Sequence, residues 1–325
     1  MRIAIVALAL TLSLAAQDAK PKDPGKAHPD VDQIKVDKAI AAGAQWLLKN
    51  VDKIGDVGHP HGGPIGAEEF VLYTLVHGEI DPADPSFQKL LDRVLEKKFQ
   101  RTYEVAIRAM ALEALNRKTY QKQIAQCAQF LVDNQCKNGQ WGYGEESPVP
   151  SVPKPPKDVA TGGGAFASDD ELRAARKKSS GKTESLPTIK IGPKKEGPPV
   201  GDNSNSQYAA LGIRACLRSG CDIDARVLQK ALDWWLTHLN EDGGWAYNYK
   251  GSDEKASWGS MTAGAVGSVI IYSFWLKKDY KKDPAVLKGV KWVDDNFSVT
   301  DNPKHKQSVL WHYYWLYAVE RMGML

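Results

Sequence analysis

Cysteine is scarce in this chain, with four in 325 residues, at Cys127, Cys136, Cys216 and Cys221. None stands in a CxxC pair, which speaks against a thiolate zinc site. In an oxidising compartment they can form one or two disulfides, although Cys127, inside a helical pattern, also reads as a small core residue. A dominant charge of one sign is lacking too. The formal net charge is +4 and the cations are scattered, which argues against nucleic acid as a partner. Sustained period-two alternation is missing, which argues against a sheet protein. The apolar run from Ile3 to Leu14 is too short to span a bilayer.

That run follows Arg2 and leads into small residues. Residues 1–16 are therefore read as a secretory signal, cut after Ala15 or Ala16. The expectation is an exported chain, periplasmic or extracellular, with no stable membrane span after cleavage. Residues 17–31 are polar and Pro/Lys-rich, a disordered arm. Residues 32–325 form the globular unit, interrupted at 147–200 by a Pro, Gly, Lys and Ser-rich insertion. Such a composition cannot bury enough apolar surface to fold alone, and a tolerated surface loop is expected rather than a cover over a site.

Helical patterns come in five pairs. The first member of each pair is amphipathic, with spacings such as Ile124, Ala128, Leu131 and Leu228, Leu232, Trp235. Four of them end on an aromatic and an aliphatic: Trp46-Leu47, Phe130-Leu131, Trp235-Leu236 and Trp292-Val293. The second members, such as "TYEVAIRAMALEAL", "NSQYAALGIRAC" and "SMTAGAVGSVIIYSFWL", are apolar almost all round and rich in Ala and Gly. A helix without a polar face is buried on every side. The same pattern is expected of "GAEEFVLYTLVHG" and "SVLWHYYWLYAVERMG". The fold class is thus all-α, with outer helices around inner ones.

Phe130, Leu131, Gln135, Gly139 and Trp141 form one spaced motif. Trp235, Leu236, Asn240, Gly244 and Trp245 read as a second copy, one residue shorter. The amide can satisfy backbone groups at a helix end, Gly permits the turn, and the Trp can tie one hairpin to the next. Each copy continues to a tyrosine, Tyr143 and Tyr247. This pattern resembles the QW repeat of the terpenoid cyclases and the related repeat of protein prenyltransferase β subunits. "DNSNSQYAALGIRA" and "WHYYWLYAVERMG" are similar to segments of exported bacterial proteins with squalene-cyclase-like repeats. The resemblance covers roughly residues 32–325 without the insertion. It implies an α/α toroid of about five outer–inner helix hairpins, with inner helices lining a central cavity.

The chemistry departs from that family. Cyclases of the squalene–hopene type use a DxDD acid to protonate an alkene, and the chain contains no DxDD. The DCTAE counterpart of the oxidosqualene cyclases is missing as well. Protein prenyltransferases hold zinc with Asp, Cys and His. His312 resembles the His position, yet "KASWGSMTAG" carries no Cys where a partner ligand is expected. His59 and His61 form an HxH pair in a Gly/Pro loop, a metal candidate if joined by Glu68 or Glu69. Glu68, Glu69 and Glu104 fall at inner-helix starts, where they complement the helix dipole. Paired carboxylates can also act as acid and base.

Asp202 or Asn203 is expected to cap the third inner helix. Asn205, Gln207, Tyr208, Trp258, Thr262, Trp311, His312 and Tyr314 are the candidates to line a cavity. Aromatic and amide groups in such a cavity suit an apolar or glycan-like ligand or a partner peptide. No cofactor is expected. The preferred function is a binding or scaffold protein. The alternative is an enzyme, either a divergent terpenoid cyclase or a polysaccharide lyase of the α/α-toroid kind.

Overall fold

The computed structural model describes residues 32–54, 67–147, 152–153, 186–247 and 255–325. The expected signal segment, the arm to residue 31, the His59 and His61 loop and most of the insertion lie outside those residues. Among the described residues the protein is all-α, with ten α-helices and one short strand pair. In chain order these are α1 (Gln33–Lys49), α2 (Ala67–His77), α3 (Pro85–Glu96), α4 (Thr102–Asn116) and α5 (Gln121–Asp133). There follow β1 (Ile189–Lys190), α6 (Asn203–Arg218), β2 (Cys221–Asp222), α7 (Ala225–Thr237), α8 (Gly259–Trp275), α9 (Pro284–Asn296) and α10 (His312–Gly323). No described helix is long and apolar enough to cross a membrane.

Odd-numbered helices are amphipathic and most are capped in the same way. The side chains of Asp32, Asp84, Asp224 and Asp283 accept backbone N–H groups of the first turns of α1, α3, α7 and α9. Such a cap contributes about 1 kcal/mol. Pro85 and Pro284 occupy first-turn positions where no N–H is needed. Helix α3 then buries Phe87, Leu90, Leu91 and Val94, one stripe of a 3.6-residue period.

Even-numbered helices behave differently. Helices α4, α6 and α8 are buried on nearly every side. Helix α2 packs on α4, α4 on α6, α6 on α8 and α8 on α10. Helices α4 and α6 approach closely because Gly212 faces Ala106, and a Cβ there would lie 2.7 Å from the Ala106 Cα. Helix α10 is shorter than the sequence pattern predicts. It begins at His312, and residues 308–311 form turns that leave Val309 and Leu310 exposed. Asn302 holds this segment instead. Its backbone N–H donates to Ser308 O, and its side-chain oxygen accepts the Ser260 N–H of α8 at 2.9 Å.

The aromatic ends of four odd helices share one hydrogen bond. A side chain four residues later reaches back to the aromatic residue's carbonyl: Asn50 to Trp46, Asn134 to Phe130, His238 to Trp234 and Asn296 to Trp292. This bond supplies a partner to one of the last carbonyls of each helix. It also corrects the register of the second motif copy. The residue equivalent to Phe130 is Trp234, not Trp235, and the two copies have equal length.

The junctions confirm that register. Trp141 Nε1 donates to Leu131 O at 2.7 Å, and Trp245 Nε1 donates to Trp235 O at 2.8 Å, each ten residues back. The turn glycines with positive φ are Gly139 at 100° and Gly243 at 87°, so Gly243 rather than Gly244 is the counterpart of Gly139. Asn240 corresponds to Cys136, and Leu239 stands where the first copy has Gln135. The Gln135 amide does not cap its own helix, as the sequence suggested, but reaches the turn at Gly139 O and the next helix. It donates to Val227 O of α7 at 2.8 Å and so ties two hairpins together. Trp141, Trp235 and Trp245 are all fully buried. A side chain of that size removes roughly 150–250 Å² from water, worth about 4–6 kcal/mol.

All four cysteines are buried free thiols. Burial pushes the Cys127 thiol up to about 12 and that of Cys136 up to about 11. The end of the insertion is tied to the helical body. Ile189 pairs with Cys221 in a parallel register, and Gly192 and Lys195 donate backbone N–H groups to Gln129 and Asp133 of α5.

Candidate functional site

The best-connected polar cluster lies at the start of α6. Asp202 caps that helix, and its Oδ1 accepts from Asn205 N at 2.8 Å and from Ser204 Oγ at 2.6 Å. Its Oδ2 accepts from Asn205 Nδ2 at 2.8 Å. The carboxyl is buried, and burial raises its pKa although these hydrogen bonds pull the other way. Asn205 is completely buried, and its Oδ1 has no hydrogen-bond partner among the described residues. The Ser204 hydroxyl also stands 3.4 Å from the Tyr247 hydroxyl.

Helix α10 completes the cluster from the far end of the chain. Tyr314 Oη accepts from Gln207 Nε2 at 2.6 Å and lies 3.3 Å from Tyr103 Oη of α4. It also faces Ser204 O at 3.4 Å. The Tyr208 ring stacks against Tyr314 and Tyr317 with centroids 6.0 and 5.8 Å away, and meets Tyr103 at a tilt of 43° with centroids 4.4 Å apart. Phe70 of α2 meets Tyr208 edge-on. Three helices thus direct tyrosines toward one another. Burial holds the phenols of Tyr103, Tyr208, Tyr314 and Tyr317 well above the usual range. A phenol so shifted is a neutral hydrogen-bonding group and a poor base.

Of the residues expected to line a cavity, Asn205, Gln207, Tyr208 and Tyr314 come together here. Trp258 flanks the cluster, stacked on Tyr247 at 6.0 Å and edge-on to His305 at 4.5 Å. Trp311 sits edge-on to Tyr314. Thr262 is placed elsewhere. It is fully buried, and its hydroxyl accepts the Trp245 N–H at 3.1 Å, a structural latch. His312 lies beside the exposed Tyr313, with a buried Nδ1 that has no partner among the described residues. Tyr103 and Tyr247 had no sequence signal for this site, because their meeting with α6 depends on which elements are neighbours; Ser204 lies in the same helix start as Asp202 and Asn205. Asp202 carried a signal, as a cap residue before an apolar helix.

The three glutamates at even-helix starts are not gathered into one pair. Glu69 is fully buried between Arg108 at 3.4 Å and Lys97 at 3.4 Å. Glu68 lies 2.8 Å from Arg93 and 3.0 Å from Lys97. Arg108 also donates to Lys97 O and covers the Phe99 ring. Removing one partner of a buried ion pair leaves an uncompensated charge, so this network fastens α2 to α3 and α4. Glu104 is buried in the first turn of α4. Among the described residues no three His, Cys, Asp or Glu side chains are grouped to hold a metal ion.

A second convergence joins α2 and α10. Arg321 Nη1 donates to Tyr73 Oη at 3.2 Å and also pairs with Glu320. Burial, with Arg321 nearby, lowers His77 to about 3, so it is neutral at physiological pH.

Compared with known proteins, the chain matches no family model and no curated protein.

Proposed function

We propose that the chain is an exported α/α toroid, with α2, α4, α6, α8 and α10 as its inner helices and the odd-numbered helices outside. Contacts between α10 and α2, α4 and α6 support that reading. Those to α2, α4 and α6 join residues 248, 211 and 107 positions apart, so the end of the chain returns to its beginning, as a ring closing on itself requires. On this reading the protein is a binding or scaffold toroid, not a terpenoid cyclase. The ligand is held where Tyr103, Gln207 and Tyr314 meet over Tyr208.

That convergence carries the proposal. It supplies aromatic faces for a hydrophobic surface and hydroxyl and amide groups for orientation, the composition expected of a small-molecule site. Alkene protonation needs a strong acid, whereas burial raises the pKa of the one carboxyl here, Asp202, and so makes it a weaker acid. The tyrosines are likewise too weakly acidic to serve as phenolate bases for a lyase.

The experiment is recovery of the protein from its native host, followed by extraction and mass spectrometry of what it carries. A bound small molecule near one equivalent, lost in Tyr314→Ala, is the expected result. Turnover of squalene or a prenyl diphosphate by the purified protein, abolished by Asp202→Asn, would overturn the binding reading in favour of the enzyme.

A further inference from the structure

The same site identifies a class of ligand. Tyr143 and Tyr247 occupy the same place in the two motif copies, and their phenols interact. Tyr247 stacks on Trp258, and Trp258 meets His305. Rings from three successive loops between odd and even helices therefore line one end of the even-numbered helices. Tyr143 is 48% exposed, and Tyr247, whose hydroxyl stands 3.4 Å from Ser204 Oγ, joins the row to the buried cluster.

The groups gathered beside the row are hydroxyls, carboxamides and one buried carboxyl. A phosphate or diphosphate calls for cations, and this set offers a carboxyl instead. A purely hydrocarbon ligand makes no use of polar groups. The unpartnered Asn205 Oδ1 is a buried acceptor in this cluster, and an acceptor without a donor costs about 1–3 kcal/mol. A ligand hydroxyl removes that cost. Flat aromatic faces beside hydroxyl and amide groups match a ring that is apolar on its faces and polar on its edge.

We propose that this aromatic row and the Asp202–Asn205 cluster bind a neutral carbohydrate, with sugar rings on Tyr143, Tyr247 and Trp258 and hydroxyls toward Asn205 and Tyr314. The inference rests on the binding reading above and narrows it to one ligand class.

The test is calorimetric titration of the full chain with three probes: maltohexaose, cellohexaose and farnesol, the last as an apolar control. Binding of a hexaose is expected, weakened about two- to tenfold by Tyr143→Ala. Tyr143 is a surface ring, so its removal leaves the core intact. Tyr314→Phe should weaken the same titration by loss of one hydroxyl. If farnesol binds and neither hexaose does, the carbohydrate class is overturned while the binding reading stands. If no probe binds but the native protein carries a non-sugar molecule, the class is again overturned alone. If no probe binds and nothing is carried, both proposals fall. Hexaose binding unaffected by both substitutions places the sugar elsewhere and overturns this site.

Discussion

At the α5–α6 junction the residue whose backbone N–H donates to the motif tryptophan's carbonyl is Asp202; at the α7–α8 junction it is Trp258. In each case the residue four places later, Ser206 or Thr262, accepts the tryptophan's own N–H with its hydroxyl. Backbone, latch and indole bond are thus repeated, and the helix cap is where the two copies part. Asp202 caps its own helix, whereas Trp258 makes no side-chain cap and α8 relies on Asn302. Hydrogen bonds common to both copies build the fold. The residue that differs places a carboxyl in one copy and a stacking ring in the other, and both become part of the candidate site. Repetition sets the frame, and the difference at the capping position sets what each copy brings to the candidate site.

Replacing the shared tryptophans gives the largest expected effect. Trp141→Ala and Trp245→Ala each remove a fully buried indole and its hydrogen bond. Each should lower stability by about 3–5 kcal/mol in urea unfolding. The equivalence of the copies predicts similar losses. A loss in one copy less than half that in the other would break it.

The turn glycines sharpen the contrast. Both have positive φ, a conformation costing a side chain about 1–2 kcal/mol. A Cβ at Gly139 would overlap the Lys230 carbonyl, while one at Gly243 comes no closer than 3.2 Å to Lys288 O. Gly139→Ala should therefore cost about 2–4 kcal/mol and Gly243→Ala about 1–2. Equal midpoint shifts in thermal unfolding would show that the clash at Gly139 is relieved.

Asp202 provides a contrast in pH. Its folded pKa is raised, so the native state binds more protons than the unfolded chain from the ordinary Asp value of 3.8 upward to the raised one. Stability from this group is present below that window and falls as pH rises through it. Asp202→Asn removes the dependence. The stability of wild type relative to Asp202→Asn, measured by denaturant unfolding at several pH values above 3, should fall as pH rises. A flat difference, or one that grows with pH, would mean that hydrogen bonding outweighs burial at this carboxyl.

The amphipathic stripes and apolar helices were legible in the sequence because period and composition are local. All ten helices fall on segments with those patterns. The register of the second copy was misread by matching Trp235 to Phe130, since Trp235-Leu236 keeps the aromatic-aliphatic pair whereas the true counterpart, Trp234, is followed by a second tryptophan. The His238 bond to Trp234 O, the Trp245 indole bond to Trp235 O and the positive φ of Gly243 separate them, and histidine replaces asparagine at the first of these. Part of the site was legible too: Asn205, Gln207, Tyr208 and Tyr314 follow from their place at helix starts. Tyr103 was not, because nothing within α4 shows that α10 lies beside it. The expected helix over Ser308–Trp311 failed for a related reason. Apolar composition favoured a helix, but Asn302 binds the segment in turns.

The smallest effect concerns the carbonyl bonds at the ends of the odd helices. Asn134 is 5% exposed and donates to Phe130 O and, more distantly, Glu145 O, while its Oδ1 accepts the Glu145 N–H. Asn50 makes the single bond to Trp46 O on an exposed surface, where Trp46 itself is 63% exposed. Water can replace the bond at Trp46 but not those around Asn134. Buried groups left without partners cost about 1–3 kcal/mol each, whereas an exposed hydrogen bond contributes about 0.5–1.5 at most. Asn134→Ala should therefore lower stability by about 2 kcal/mol, and Asn50→Ala by a few tenths. Hydrogen exchange sharpens the reading, since the loss at Asn134 should also speed exchange of the Glu145 amide. Equal losses at the two sites would mean that the bond acts through the helix end alone, regardless of burial.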